Sequence, residues 1–567
     1  MIPALDLYRA LALLGFSCFL CAADVSADTV QISSDPFTNP SSQHVTEVEP
    51  QIYANGSTIV ATFQQGRFFG GGCSDIGFAT STDSGATWQE GSLPGITIWA
   101  GGDRYESVTD TSLAYNAAFG LWLVETMPVG FGNQEIFVSR SADGLSWDNP
   151  ITVYSTSSGS FDKPWITCDN SPTSPFFGNC YIEWDDVADG DRILMSTSTD
   201  GGATWSTPAT TADAAQGLGG QPLVQPNGRV VVPYSTFSAI RAFISDDGGN
   251  TWGPSFSVTS MNEHSIAGGL RDFNLPSAAI DGDGRIYVVW TDCRFRASCR
   301  SNDIAITSSA DGVAWSAPAR VPIDEATSTA DHFLPGIGVD RNSSGTTVGL
   351  ALVYYYYPQA NCTSSTCQLS AGFVTSQDGG ASWSNPIDVA GPMSVTWLPE
   401  TISGRMVGDY FSVFYTDDGV PHPVFASADA PAGMFFESMF STCVGCPPPA
   451  KGSPKVASCV GDNCSSTSGE EPVAEEWQAT AAQSESGALR VSADATRVNI
   501  GAVLPLRVDG PAARNAVVDW VVEEGPSGGS VSNSGVYTAP QSPGVYHLIA
   551  STGAERARLA IKVFTVQ

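Results

Sequence analysis

One short phrase of serine, aspartate, glycine and tryptophan, written six times along 567 residues, constrains the fold of this chain more than anything else in it. It reads S-T-D-S-G-A-T-W from Ser81, S-T-D-G-G-A-T-W from Ser198, S-D-D-G-G-N-T-W from Ser245 and S-Q-D-G-G-A-S-W from Ser376. Two copies are one residue shorter: S-A-D-G-L-S-W from Ser141 and S-A-D-G-V-A-W from Ser309. Recurrence at intervals of roughly 47 to 67 residues is the mark of a radial or solenoid architecture.

The chemistry of the phrase is that of a corner. The aspartate can accept hydrogen bonds from nearby backbone N–H groups and so hold a tight turn. The glycine supplies positive φ, and the tryptophan offers a large ring to pack between neighbouring sheets. Asp83, Asp143, Asp200, Asp247, Asp311 and Asp378 are therefore expected to be structural, since six copies of one turn cannot be six active sites.

A second marker precedes most corners. Pro50, Pro164, Pro222, Pro276 and Pro335 each open a short apolar run, followed by a turn rich in Gly, Asn and Asp and then a more hydrophobic strand. Each unit reads as strand A, turn, strand B, longer loop, strand C, corner, strand D, which is a four-stranded blade. Six corners give six blades. A hairpin around Asp417-Asp418-Gly419 adds another, which residues 29–33 at the start of the chain could complete, closing the ring and removing open edges. The expected fold is all-β and seven-bladed, with six blades and an irregular hairpin as the alternative.

The phrase is the Asp-box, and the chain resembles the sialidase-like Asp-box (BNR repeat) β-propeller family. That resemblance implies the fold more than the reaction, because the same box occurs on propellers of many functions. In residues 488–567, short strands around Gly535-Val536-Tyr537-Thr538-Ala539-Pro540 and Gly544-Val545-Tyr546 resemble a bacterial Ig-like β-sandwich.

The other boundaries come from composition. Residues 1–27 carry one arginine, an apolar run over 10–23 and a small-residue cleavage site at Val25-Ser26-Ala27, and read as a signal peptide. The propeller is assigned to 28–441, and a Cys/Pro/Ser-rich linker to 442–487. The chain is expected to be secreted, extracellular or at the cell surface, with the periplasm as an option, and no stretch is long enough to span a membrane. The balance of 25 Lys+Arg against 58 Asp+Glu argues against nucleic acid or an anionic membrane as partner. In an exported protein the close pairs Cys168 with Cys180, Cys293 with Cys299, Cys362 with Cys367 and Cys459 with Cys464 read as disulfides. Cys443 and Cys446 sit equally close, and Cys73 is left over.

Strand direction places the A–B turns and Asp-boxes at one end of the ring and the D-to-A and B–C connections at the other. That second end gathers Arg67, Arg104, Arg271, Arg294, Arg296 and Arg405, with many carboxylates. Clustered arginines bind carboxylate or phosphate, so they are candidates for an anionic ligand; the alternative is that each pairs with a neighbouring acid. Sialidases use three arginines, a Tyr nucleophile paired with Glu, and an Asp acid/base. Here the first arginine's place reads Val48-Glu49-Pro50, and residues 68–74 hold no carboxylate where the Asp would lie. Tyr410 is the tyrosine analogue, with Glu183 or Asp185 assisting and Arg271, Arg294 and Arg405 holding a carboxylate; Arg67 and Arg104 complete the substrate-binding set.

Three functions remain open: a sialidase-type glycoside hydrolase on anionic glycans, a non-catalytic propeller binding a glycan or glycoprotein, and a propeller enzyme of another class. No cofactor is required. A structural Ca²⁺ is the one ion that the acidic loop 185–191 could hold.

Overall fold

A computed structural model describes residues 29–130 and 134–443, the pair 457–458, and most of 490–564. The expected signal peptide, nearly all of the linker, and Cys446, Cys459 and Cys464 lie outside the described residues.

Within 29–443 the secondary structure is antiparallel β-sheet with four short 3-10 turns, arranged as a β-propeller. The first sheet runs Glu47–Asn55, Thr58–Arg67, Cys73–Ser81 and Gln89–Ser92. A single bridge, Cys73 to Val108, joins it to the next four strands, Ser107–Asn116, Leu121–Val129, Gln134–Ser141 and Ile151–Thr156. Then follow Phe161–Cys168 with Cys180–Asp186 and Arg192–Ser198; a sheet from Leu223–Val224 to Phe256–Ser260; one from Ser277–Ile280 to Ala319–Arg320; and one from Asp331–Val339 to Ile387–Ser394. Their strands are β-branched and aromatic on their buried faces, as half-buried pleated surfaces require. Apolar layers such as Tyr181, Met195, Val230 and Phe243 fill the space between adjacent sheets.

The last sheet is made from both ends of this region. Ser412–Tyr415, Pro421–Asp429 and Phe436–Thr442 are completed by Thr29–Gln31, with Val30 opposite Ser441. Ser33 Oγ accepts from Met439 N at 3.0 Å and donates to the buried carboxylate of Glu47, so the closure is pinned by side chains as well as by the ladder.

The innermost strands surround a narrow axial channel with a cavity of about 80 Å³, lined among others by Gln51, Leu113, Trp165, Leu223, Ile337 and Val413. At one end the Arg341 guanidinium lies 4.8 Å from each of the Tyr53 and Phe414 ring centres.

The Asp-boxes are corners. At Asp83 the carboxylate accepts from Thr87 N at 2.8 Å, Thr87 Oγ1 at 2.7 Å and Ser81 Oγ at 2.8 Å, while Trp88 Nε1 donates to Gly85 O at 3.1 Å. Burial pushes this carboxyl up, but the Thr87 and Ser81 bonds outweigh it and hold it below the ordinary carboxylate range. Asp200, Asp247 and Asp378 repeat the pattern, and the shorter Asp143 and Asp311 turns take two backbone amides each. The boxes touch neighbouring A–B turns: Arg229 donates to Asp311 O at 2.9 Å and Asn179 to Gly248 O at 3.3 Å. The opposite end is knit by D-to-A and B–C segments, as in Cys293 N to Asn262 O at 2.8 Å.

Disulfides join Cys168 to Cys180, Cys293 to Cys299 and Cys362 to Cys367, and Cys73 is a buried thiol. Farther along, two four-stranded sheets enclose a separate core of Leu504, Leu506, Tyr537, Leu548 and Ile561.

Candidate functional site at the axial mouth

The site is built by one backbone irregularity repeated around the ring. The innermost strands carry register shifts between Val48 and Gln51, Thr109 and Thr111, Asp162 and Trp165, and Phe333 and Gly336. Within them Glu49, Asp110, Lys163 and Leu334 have φ of 58°, 41°, 48° and 50°, and Asn274 has 47° at the matching place before its strand. Non-glycine residues rarely adopt this conformation. Bulges of this kind re-aim a side chain out of the pleat, and here they turn three charged groups toward the axis.

Those groups meet two more from the far side of the ring. Lys163 Nζ lies 3.1 Å from Asp110 Oδ1, 3.0 Å from Asp162 Oδ1 and 3.2 Å from Asp409 Oδ2. An ammonium has three donors, and this one has three carboxylate partners. Arg271 grips Asp409 with Nε at 2.8 Å and with Nη2, and its guanidinium carbon lies 4.7 Å from the Phe273 ring centre. Glu49 Oε1 accepts from Asp409 N at 3.3 Å, and its other oxygen takes Gln64 Nε2.

Electrostatics separates the two central acids. Burial would push the Asp409 carboxyl up, but Lys163 and Arg271 outweigh it and hold it down to about 2. Burial pushes Glu49 up to about 8, with the charges of Asp409 and Asp110 adding to it. Burial opposes the Lys163 charge, yet Asp110, Asp162 and Asp409 hold the ammonium well above its ordinary range.

Tyr410 follows Asp409 and is buried; its hydroxyl accepts from Thr111 N at 3.0 Å and donates to Thr111 O at 3.3 Å, and its ring meets Trp165 edge-on at 5.4 Å. Burial pushes its phenol well above the ordinary value. Glu183 and Asp185 are buried on the neighbouring strand, where Gly220 passes so close that a Cβ there would stand 2.5 Å from Glu183 Cδ. Burial raises both, Asp185 to about 10.

The arginine side chains are each engaged by their own acceptors, although Arg271 N donates to Arg405 O at 2.8 Å and Arg67 Nη2 reaches Met406 Sδ at 3.0 Å. Arg67 ends its strand, is buried, and donates to Gln64 Oε1 at 2.8 Å and Gly72 O at 2.9 Å. Arg104 pairs with Glu135 at 3.3 Å, Arg294 with Asp292 at 2.6 Å, and Arg405 with Glu400 at 3.6 Å and Leu398 O at 2.5 Å. The structure brings Arg271 and Tyr410 to the axial mouth and holds the other four on separate partners.

The acidic loop does not converge as a cation's ligand set would. Asp185 is buried, Asp186 Oδ1 accepts from Ala188 N at 3.1 Å, and Asp189 pairs with Arg192 at 3.3 Å. Among the described residues, Asp303, Asp324 and His332 do bring ligand atoms within 4.8 Å of one another. Arg296 lies 2.6 Å from both aspartates and Arg320 lies 2.8 Å from Asp303, so guanidinium groups already supply the positive charge there.

Sequence reasoning assigned no role to Glu49, Asp110 or Lys163. The available signal was the residue before the repeat-marking prolines, Glu49 before Pro50 and Lys163 before Pro164.

A family model described as BNR repeat-like domain matches residues 132–332. The match lies within the β-propeller. No curated protein matches the chain in sequence. Among solved structures the BNR propeller is similar to the NanB sialidase from Streptococcus pneumoniae, at 13% identity over 73% of this chain and 70% of that one, with a TM-score of 0.36. An alpha-L-arabinofuranosidase from Fusarium graminearum shares 16% identity over 61% of this chain and 97% of its own, with a TM-score of 0.37. An ulvan lyase shares 12% over 73% and 95%, with a TM-score of 0.41.

Proposed function

We propose that this chain is an exported, seven-bladed BNR propeller that binds glycan, free or on a glycoprotein, at the end of the ring opposite the Asp-boxes. The sandwich at 490–564 is read as an Ig-like spacer. One observation carries the reading: Arg67, Arg104, Arg271, Arg294 and Arg405 are each engaged by a separate protein acceptor. A sialidase centre needs three such groups turned together onto one carboxylate. Exposed apolar side chains collect on the same end, including Phe69, Trp99 and Ile402, with Ile402 N donating to Phe69 O at 2.9 Å. Aromatic rings with one free face are the usual surface on which a sugar ring rests.

The test is retention of the purified protein on a panel of immobilised polysaccharides. Loss of retention in Trp99→Ala with none in Asp200→Ala supports the reading, and equal retention in both refutes it.

A second reading, hydrolysis, draws on Glu49 and Asp409, neighbouring acids whose proton affinities are driven apart to about 8 and about 2. Tyr410, Glu183 and Asp185 belong to that reading as nucleophile and assisting acids.

A further inference from the structure

We infer that the axial mouth selects uncharged sugars, with Asp162 as the residue that sets the selectivity; this rests on the glycan-binding reading above. Asp162 is the most exposed charged side chain of the cluster. Asp162 is 33% exposed, Arg271 13%, Lys163 6% and Asp409 0%. A ligand approaching the axis therefore meets a carboxylate first, and the two cations stand behind it.

Lys163 is also fully committed, and Arg271 is committed through Nε and Nη2. The three donors of Lys163 face Asp110, Asp162 and Asp409, and Arg271 is forked onto Asp409 with its face on Phe273. An anionic sugar reaching Lys163 would have to displace one of its carboxylates and lie against the more exposed Asp162, and breaking a buried pair is costly. The place where sialidases carry their first arginine holds Val48 here, and three carboxylates (Asp110, Asp162, Asp409) beside a Glu49 that favours its protonated form face the two cations.

Asp162 suits a hydroxyl-bearing ligand. Its bonds from Lys163 N at 2.9 Å and Lys163 Nζ at 3.0 Å both fall on Oδ1, which leaves Oδ2 to accept from a sugar O–H. Trp165, three residues on and half-buried, lines the channel below.

The experiment titrates the full chain with neutral hexasaccharides (gluco-, manno-, xylo- and N-acetylglucosamine series) and with sialyllactose and oligogalacturonate. The inference expects a neutral ligand to bind with little change between about 0.05 and 0.5 M NaCl. It expects Asp162→Ala to weaken that binding about tenfold or more, the isosteric Asp162→Asn to weaken it less, and neither anionic sugar to bind the wild type. Tighter binding of an anionic sugar, weakened by salt, overturns the inference and leaves the glycan reading standing. Neutral binding untouched in Asp162→Ala, with an unchanged melting curve, also overturns it. No binding to any member overturns the glycan reading itself.

Discussion

Lys163 Nζ lies 3.2 Å from Asp409 Oδ2, a contact that reaches across the ring between residues far apart in the chain. It ties the third sheet to the segment that leads into the closing sheet. Both side chains are almost wholly buried, so the pair is at once a structural clasp and the floor of the proposed site.

Removing one partner of such a pair leaves a buried charge without compensation. Lys163→Met or Asp409→Asn should lower the unfolding free energy of the propeller by about 3–5 kcal/mol, read as a drop in the denaturant midpoint. Replacing an exposed partner, as in Arg104→Ala, should cost at most about 1 kcal/mol.

Stability should depend on pH in a way that Glu49 reports. Its carboxyl is raised in the folded state to about 8, so the fold favours the protonated form. That contribution is complete below the ordinary glutamate value of about 4.3 and is lost as pH rises through about 8. Asp409 acts oppositely: lowered to about 2, it contributes above the ordinary aspartate value and is lost as pH falls toward about 2. Melting temperature against pH should therefore decline between about pH 4.5 and 8, and Glu49→Gln should flatten that decline.

How much of this was legible in the chain follows from what repeats. The sheets could be read because every corner is written in the same turn chemistry and each inner strand is announced by proline or alternation. The closure by Thr29–Gln31 was legible as an unassigned strand opposite an unfinished sheet. The cluster was not, because a strand pattern of period two cannot reveal a bulge: Asp110 lies within Ser107–Asn116 and reads as an ordinary strand residue until its φ of 41° turns it inward. The sequence puts Arg67 in a B–C connection, whereas its strand continues through it and buries the guanidinium against Gln64 and Met406.

The Asp-boxes should separate fold from function. Asp200→Ala removes the acceptor for Thr204 N, Thr204 Oγ1 and Ser198 Oγ at 2.9, 2.6 and 2.9 Å. Bonds to a charged acceptor contribute about 1.5–3 kcal/mol each when buried and less at this exposed turn. The expected result is a lower melting temperature with glycan affinity unchanged.

Ring closure should be tested at its edge. Val30 pairs with Ser441, and proline there removes a ladder donor and exposes the edge it covered. Val30→Pro should broaden the unfolding transition and promote association, measured by light scattering on heating.

The central claim, a glycan binder whose arginines are already committed, is tested most directly by release of a fluorogenic sialoside. The account predicts no turnover above the blank for wild type and for Tyr410→Phe alike. Turnover by the wild type that disappears in Tyr410→Phe would contradict it.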